Sequence, residues 1–190
     1  TETGDVTVKI AEGLEEGNHT FKLYRQNEIK FAHIGFKSIT LDGEILSAPE
    51  AKDMYIEFVG ASQWGGAGNL GDKNSEDFDT PDLQDATQGL TYITPQLLDA
   101  DWSVISMAGT GAYWGLQLYP MNKLYNYYGY VHDDSTASLY DFDNTRKPDY
   151  IVIGLGTNDV DKAEKFGKTD EDIYEAFNYF FRLLRMKNPN

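Results

Sequence analysis

Residues 54–69 read MYIEFVGASQWGGAGN, and residues 149–160, far along the chain, read DYIVIGLGTNDV. In the first, Tyr55-Ile56-Glu57-Phe58-Val59 is a short apolar run that stops at Gly60, after which Ala61 and Ser62 open a glycine-rich loop. In the second, Tyr150-Ile151-Val152-Ile153 has the continuous β-branched character of a strand covered on both faces, as parallel strands are. It also ends in glycines, Gly154 and Gly156, and delivers Asn158 and Asp159 to the loop beyond. Parallel strands of this kind place Ser62 and Asn158 at one carboxyl edge, where open α/β sheets hold their ligands.

A third run, Trp102-Ser103-Val104-Ile105-Ser106-Met107, ends at Ala108-Gly109. Between the three runs lie an acidic loop over residues 71–85, a helix within 85–98, and an aromatic-rich connection over 113–143. A last helix is expected over 170–186. Thr169 caps it, Asp172 stands in the capping-box position, and Ile173, Phe177, Phe180, Phe181 and Leu184 form its apolar stripe. Strand and helix alternation predicts a parallel sheet with right-handed crossovers.

Residues 1–47 read differently. Alternation at Val6–Ile10, Thr20–Tyr24 and Ile34–Leu41, with turns at Glu16-Gly17-Asn18 and Asp42-Gly43, predicts three β-strands. Residues 48–53, with Pro49, are the expected linker. Three strands with one apolar face, and an open sheet of three strands that ends on a helix, predict that this chain is part of a longer polypeptide.

Composition narrows the partners. A formal net charge of −15 argues against nucleic acid or an anionic membrane, both of which repel such a surface. The chain has no cysteine, which removes thiolate catalysis and zinc–thiolate sites. Asp72, Asn74 and Glu76 suggest a calcium loop, but Asp77 and Leu83 occupy the positions that need glycine and glutamate. The glycines from Gly60 to Gly71 lack the lysine of a phosphate loop. Neither a metal nor a cofactor is expected.

Ser62 reads either as a loop serine bonded to nearby backbone or as a nucleophile beside a base. Gly109 alone is a turn glycine and Asn158 alone a helix cap. Three such residues at three strand ends also suit an oxyanion site, with bare N–H groups and a carboxamide as donors.

The blocks Gly60-Ala61-Ser62, Gly109 and Gly156-Thr157-Asn158-Asp159 resemble those of SGNH (GDSL-type) hydrolases, serine esterases on a flavodoxin-like three-layer α/β sandwich. More closely, IEFVGAS, SVISMAGTG and PDYIVIGLGTND, with GLEEGNHTFKLYRQNE upstream, resemble carbohydrate esterase family 2. That resemblance implies an SGNH domain over 54–190 without its C-terminal part, preceded by the last strands of a β-sandwich (jelly-roll) domain. It also implies a secreted or cell-surface enzyme removing acetyl groups from acetylated polysaccharide such as xylan. Carried over, it makes Ser62 the nucleophile and gives the oxyanion to the Ser62 N–H, the Gly109 N–H and the Asn158 amide. Trp64, Trp114 and Tyr113 become candidate sugar platforms. A non-catalytic carbohydrate-binding relative is the alternative.

Two departures bear on the chemistry. Ala61 stands where the resembled family has aspartate, and its catalytic histidine belongs to a block beyond residue 190. The three histidines present are His19, His33 and His132, of which only His132 lies between the site blocks.

Overall fold

The computed structural model describes residues 4–28, 31, 34–74, 80–113 and 142–189. Three parallel strands form one sheet: β1 (Met54–Gly60), β2 (Ala100–Ser106) and β3 (Tyr150–Gly154), in the order β2-β1-β3. The strand with the most buried residues thus takes the central position, paired on both sides.

Side chains along β1 alternate between two packed faces, as the strand's period of two requires. Ile56 and Phe58 point to one face, with Ala100, Trp102 and Trp64 around them. Helix α1 (Leu90–Leu97) closes this side, where the Tyr92 ring meets Trp102 edge to face at 5.4 Å. Val59 points to the other face, into a cluster with Ile105, Ile151 and Ile153. Helix α3 (Asp170–Lys187) covers it with Phe180 and Leu184. The result is helix, sheet, helix, the layering expected from strand–helix alternation. Thr169 and Asp172 exchange hydrogen bonds in a full capping box at the start of α3.

One helix lies where the sequence reads as loop: α2 (Thr157–Ala163) starts at the Gly156-Thr157-Asn158-Asp159 block. Its residues, TNDVDKA, hold no apolar stripe, so helical periodicity gives no sign of it.

Among the described residues before residue 47 no strand is formed, so the three segments expected to be strands have no ladder within this chain. A strand exists through its ladder, and nothing among the described residues pairs with these segments. Their alternating apolar side chains stay exposed, with Val8 at 71% and Leu23 at 76%. This segment meets the α/β layers at its end: Tyr24 stacks edge-on to Tyr92 at 5.3 Å, and the Ala86 N–H donates to the Gln26 carbonyl at 2.8 Å. Among the described residues no helix is long and apolar enough to cross a membrane.

Candidate active site

The three strands end level with one another, Gly60 facing Ser106 on one side and Gly154 on the other. From the centre of that edge, Ser62–Gly65 forms a single 3-10 turn. The Trp64 N–H bonds to Ala61 at 3.0 Å and the Ala67 N–H to Ser62 at 3.0 Å. Gly66 closes the turn at φ 82°, a conformation glycine adopts without strain, and leaves no room for a side chain: a Cβ there would lie 2.8 Å from the Ala86 nitrogen.

The Trp64 ring lies across the ends of β1 and β3. A Cβ on Gly60 would meet it at 2.4 Å, and one on Gly154 at 1.8 Å, so both strands end in glycine because an indole occupies the space. Trp64 also packs on Phe58 with ring centres 5.6 Å apart, and its carbonyl accepts the Thr91 hydroxyl at 2.9 Å. The Ser62–Gly65 turn is thereby tied to β1, β3 and α1 at once.

The loop after β2 is built from the opposite side. Gly109 is buried and turns the chain at φ 75°. Thr110 folds back, its N–H and hydroxyl both donating to the Met107 carbonyl at 3.3 and 2.6 Å. From the first turn of α2, the Asn158 amide donates to the Thr110 carbonyl at 2.7 Å. Asp159, fully buried, accepts the Ala112 N–H at 3.1 Å and the Tyr113 N–H at 2.7 Å. Gly111 lies so close that a Cβ there would be 2.4 Å from an Asp159 oxygen. Because β1 separates β2 from β3, these bonds draw the loop about 10 Å, two strand spacings, over the end from which Ser62 emerges.

Of the sequence-derived site residues, Gly109 and Asn158 are therefore brought together through Thr110. Ser62 and Trp64 share the turn beneath. The Ser62 hydroxyl is half-buried and, among the described residues, has no hydrogen-bond partner. Asn158 spends one amide hydrogen on Thr110, and a carboxamide has two, so one remains for a ligand oxygen. Tyr113 is half-buried with the Lys168 ammonium 5.3 Å from its ring centre. A hydrogen bond to Tyr113, first among its causes, holds the Lys168 ammonium above its ordinary pKa. Trp114, His33 and His132 lie outside the described residues. His19 is exposed and bonded to the Glu15 carbonyl at 2.8 Å. No group of three acidic or histidine side chains that could hold a metal ion occurs among the described residues.

Asp159 is the residue shaping this edge whose part the sequence alone did not reveal. It stands inside the block that supplies Asn158, but its role depends on where the distant 107–113 loop runs.

These features define a parallel three-layer α/β protein whose strand-end loops gather serine, glycine and carboxamide at one edge. Comparison with known proteins places it more narrowly: over most of its length the chain is similar to carbohydrate esterases of family 2. It is 30% identical to the cellulase/esterase CelE of Acetivibrio thermocellus, over 80% of this chain and 19% of that protein. It is also 30% identical to the acetylxylan esterase / glucomannan deacetylase of Cellvibrio japonicus, over 93% of this chain and 51% of that one. Among solved structures, an acetyl xylan esterase (Est2A) from Butyrivibrio proteoclasticus superposes with a TM-score of 0.66 at 27% identity, covering 78% of this chain and 48% of that one. A family two carbohydrate esterase from Clostridium thermocellum, in complex with cellohexaose, gives 0.67 at 25% identity, covering 77% and 43%. The chain thus spans about half or less of the length of the proteins it matches. No family model matches the sequence.

Proposed function

We propose that the protein containing this chain is an SGNH-type serine esterase that removes O-acetyl groups from plant-type polysaccharide, xylan or glucomannan. The Ser62 oxygen attacks the acetyl carbonyl carbon, and the sugar oxygen leaves with a proton. Water then releases acetate from the acetyl-serine. Charge develops on the carbonyl oxygen in both halves of the reaction. The Ser62 N–H, the Gly109 N–H and the second Asn158 hydrogen are the donors assigned to it, each of a kind worth about 2.7–4 kcal/mol when preorganised. The base is assigned to a histidine contributed by sequence outside these 190 residues.

The observation that supports this reading is the bond from the Asn158 amide to the carbonyl of Thr110, the residue after Gly109, at 2.7 Å. The likeness to acetylxylan esterases and a glucomannan deacetylase supports the substrate class. Tyr113 and Trp114 are assigned to the sugar cleft. Trp64, engaged with Gly60, Gly154 and Phe58, is assigned to its floor. A polymer cannot enter a cell, so the enzyme acts secreted or at the cell surface. Residues 1–47 are assigned to the closing strands of a β-sandwich (jelly-roll) domain whose other strands complete their ladder, with residues 48–53 as the linker.

The test compares hydrolysis of p-nitrophenyl acetate by the full-length protein and by Ser62→Ala. The variant should fall to the rate of buffer. Equal rates would end the esterase reading and leave carbohydrate binding without chemistry. Acetate release from acetylated glucomannan, set against cleavage of a long-chain acyl ester, decides the substrate class.

A further inference from the structure

A carboxyl group from the N-terminal segment lies behind the nucleophile turn. Glu28 is only 7% exposed. One of its carboxyl oxygens lies 3.0 Å, and its Cγ 3.2 Å, from the point that a Cβ on Gly65 would occupy. The Ser106 hydroxyl, at the end of β2, lies 3.1 Å from the same point. The Glu28 carboxyl and the Ser106 hydroxyl thus both pack against the side of Gly65, the last residue of the turn that Ser62 begins, on which a side chain would stand.

The backbone that presents Glu28 is fixed. Its N–H donates to the side chain of fully buried Gln84 at 3.2 Å, and two residues earlier Gln26 accepts the Ala86 N–H at 2.8 Å. Ala86 in turn abuts Gly66. Residues 26–28, residues 84–86 and the 62–66 turn make one stack, with Glu28 reaching past the middle layer. The Glu28 side chain thus packs into the space that Gly65, having no Cβ, leaves behind the turn.

We propose that Glu28 is a positioning residue for the nucleophile: it holds Gly65, and through Gly65 sets the aim of the Ser62 hydroxyl. This role rests on the esterase reading, in which Ser62 is the nucleophile. Loss of the side chain opens space behind the turn but leaves Tyr113 and the loop after β2 untouched, so turnover suffers and substrate binding does not.

In the full-length protein, Glu28→Ala should lower kcat for p-nitrophenyl acetate by about tenfold or more, because small misplacements of reacting atoms are costly, while KM stays within about twofold. The Ala67 amide, bonded to Ser62, should exchange with solvent faster than in the parent. Glu28→Gln, equal in shape, should restore both kcat and protection. Should Glu28→Ala fail to fold, Gly65→Ala presses on the same contact from the other side. Its loss of kcat should be partly recovered by adding Glu28→Asp, whose shorter chain gives way. Parent-like kcat in Glu28→Ala, a change confined to KM, or strictly multiplicative losses in the Gly65→Ala, Glu28→Asp pair would each overturn the proposal. If Ser62→Ala is as active as the parent, the esterase reading fails separately, and Ala67 exchange still decides whether Glu28 holds the turn.

Discussion

Asn158 and Asp159 are neighbours in one turn of helix and hold the same loop by opposite means, one donating to a carbonyl and the other accepting from two N–H groups. Their substitutions should therefore separate. On the proposed esterase reading Asn158→Ala removes a donor to the oxyanion, and kcat should fall by about 10²–10³ with KM little changed, as for other such donors. Asn158→Asp should be no better, since a carboxylate cannot donate to Thr110 and repels the developing charge. Asp159→Ala instead strands the buried Ala112 N–H, at a cost of about 1–3 kcal/mol, and the half-buried Tyr113 N–H, and should appear first as lost stability in denaturant unfolding. A parent-like unfolding midpoint for Asp159→Ala would show that the loop holds itself. Ser62, Gly109 and Asn158 could be proposed from the sequence because each follows a strand's end, and strand ends are visible as glycines after apolar runs. Asp159 could not be assigned, because its partners lie 46 and 47 residues away on a loop whose path no spacing reveals.

At the scale of elements, α3 was the most legible, since a cap, a capping-box acid and a stripe all agree. Phe180 shows what the stripe is for: fully buried against Val59, it should cost about 3–5 kcal/mol when cut to alanine. Thr169→Ala should cost about 1 kcal/mol, both losses being read from the unfolding midpoint. The Asp172 carboxyl is held below its ordinary pKa by the Thr169 N–H and then by the Thr169 hydroxyl. A depressed folded-state pKa contributes stability that is present above the unfolded value and lost as pH falls through the lower one. Asp172→Asn should thus melt below the parent at neutral pH, and the gap should close as pH drops beneath about 4. A gap unchanged at pH 3 would remove ionisation as its source. Two segments show from opposite sides what periodicity leaves out. Helix α2 lacks an apolar stripe and is held by its block's bonds to the 110–113 loop. The segment before residue 47 has alternation in plenty but no paired strand among the described residues, and period alone cannot supply a partner.

At the scale of the whole chain, its charge should, on the proposed esterase reading, separate substrates that share the same acetyl chemistry. Thirty-one acidic against sixteen basic residues give a field that a neutral polysaccharide does not feel and an anionic one does. That field reaches about 30 Å at 10 mM salt and about 8 Å at 150 mM. Deacetylation of neutral glucomannan should therefore keep the same kcat/KM across that range of salt. Acetylated xylan bearing glucuronate should be processed faster as salt rises, because screening lets the acidic chain approach. Lys168, held protonated beside Tyr113, is the local exception that could reverse the trend. A kcat/KM on glucuronate-bearing xylan that falls with salt would mean that this one ammonium at the cleft outweighs the whole surface, and Lys168→Gln should then abolish the dependence.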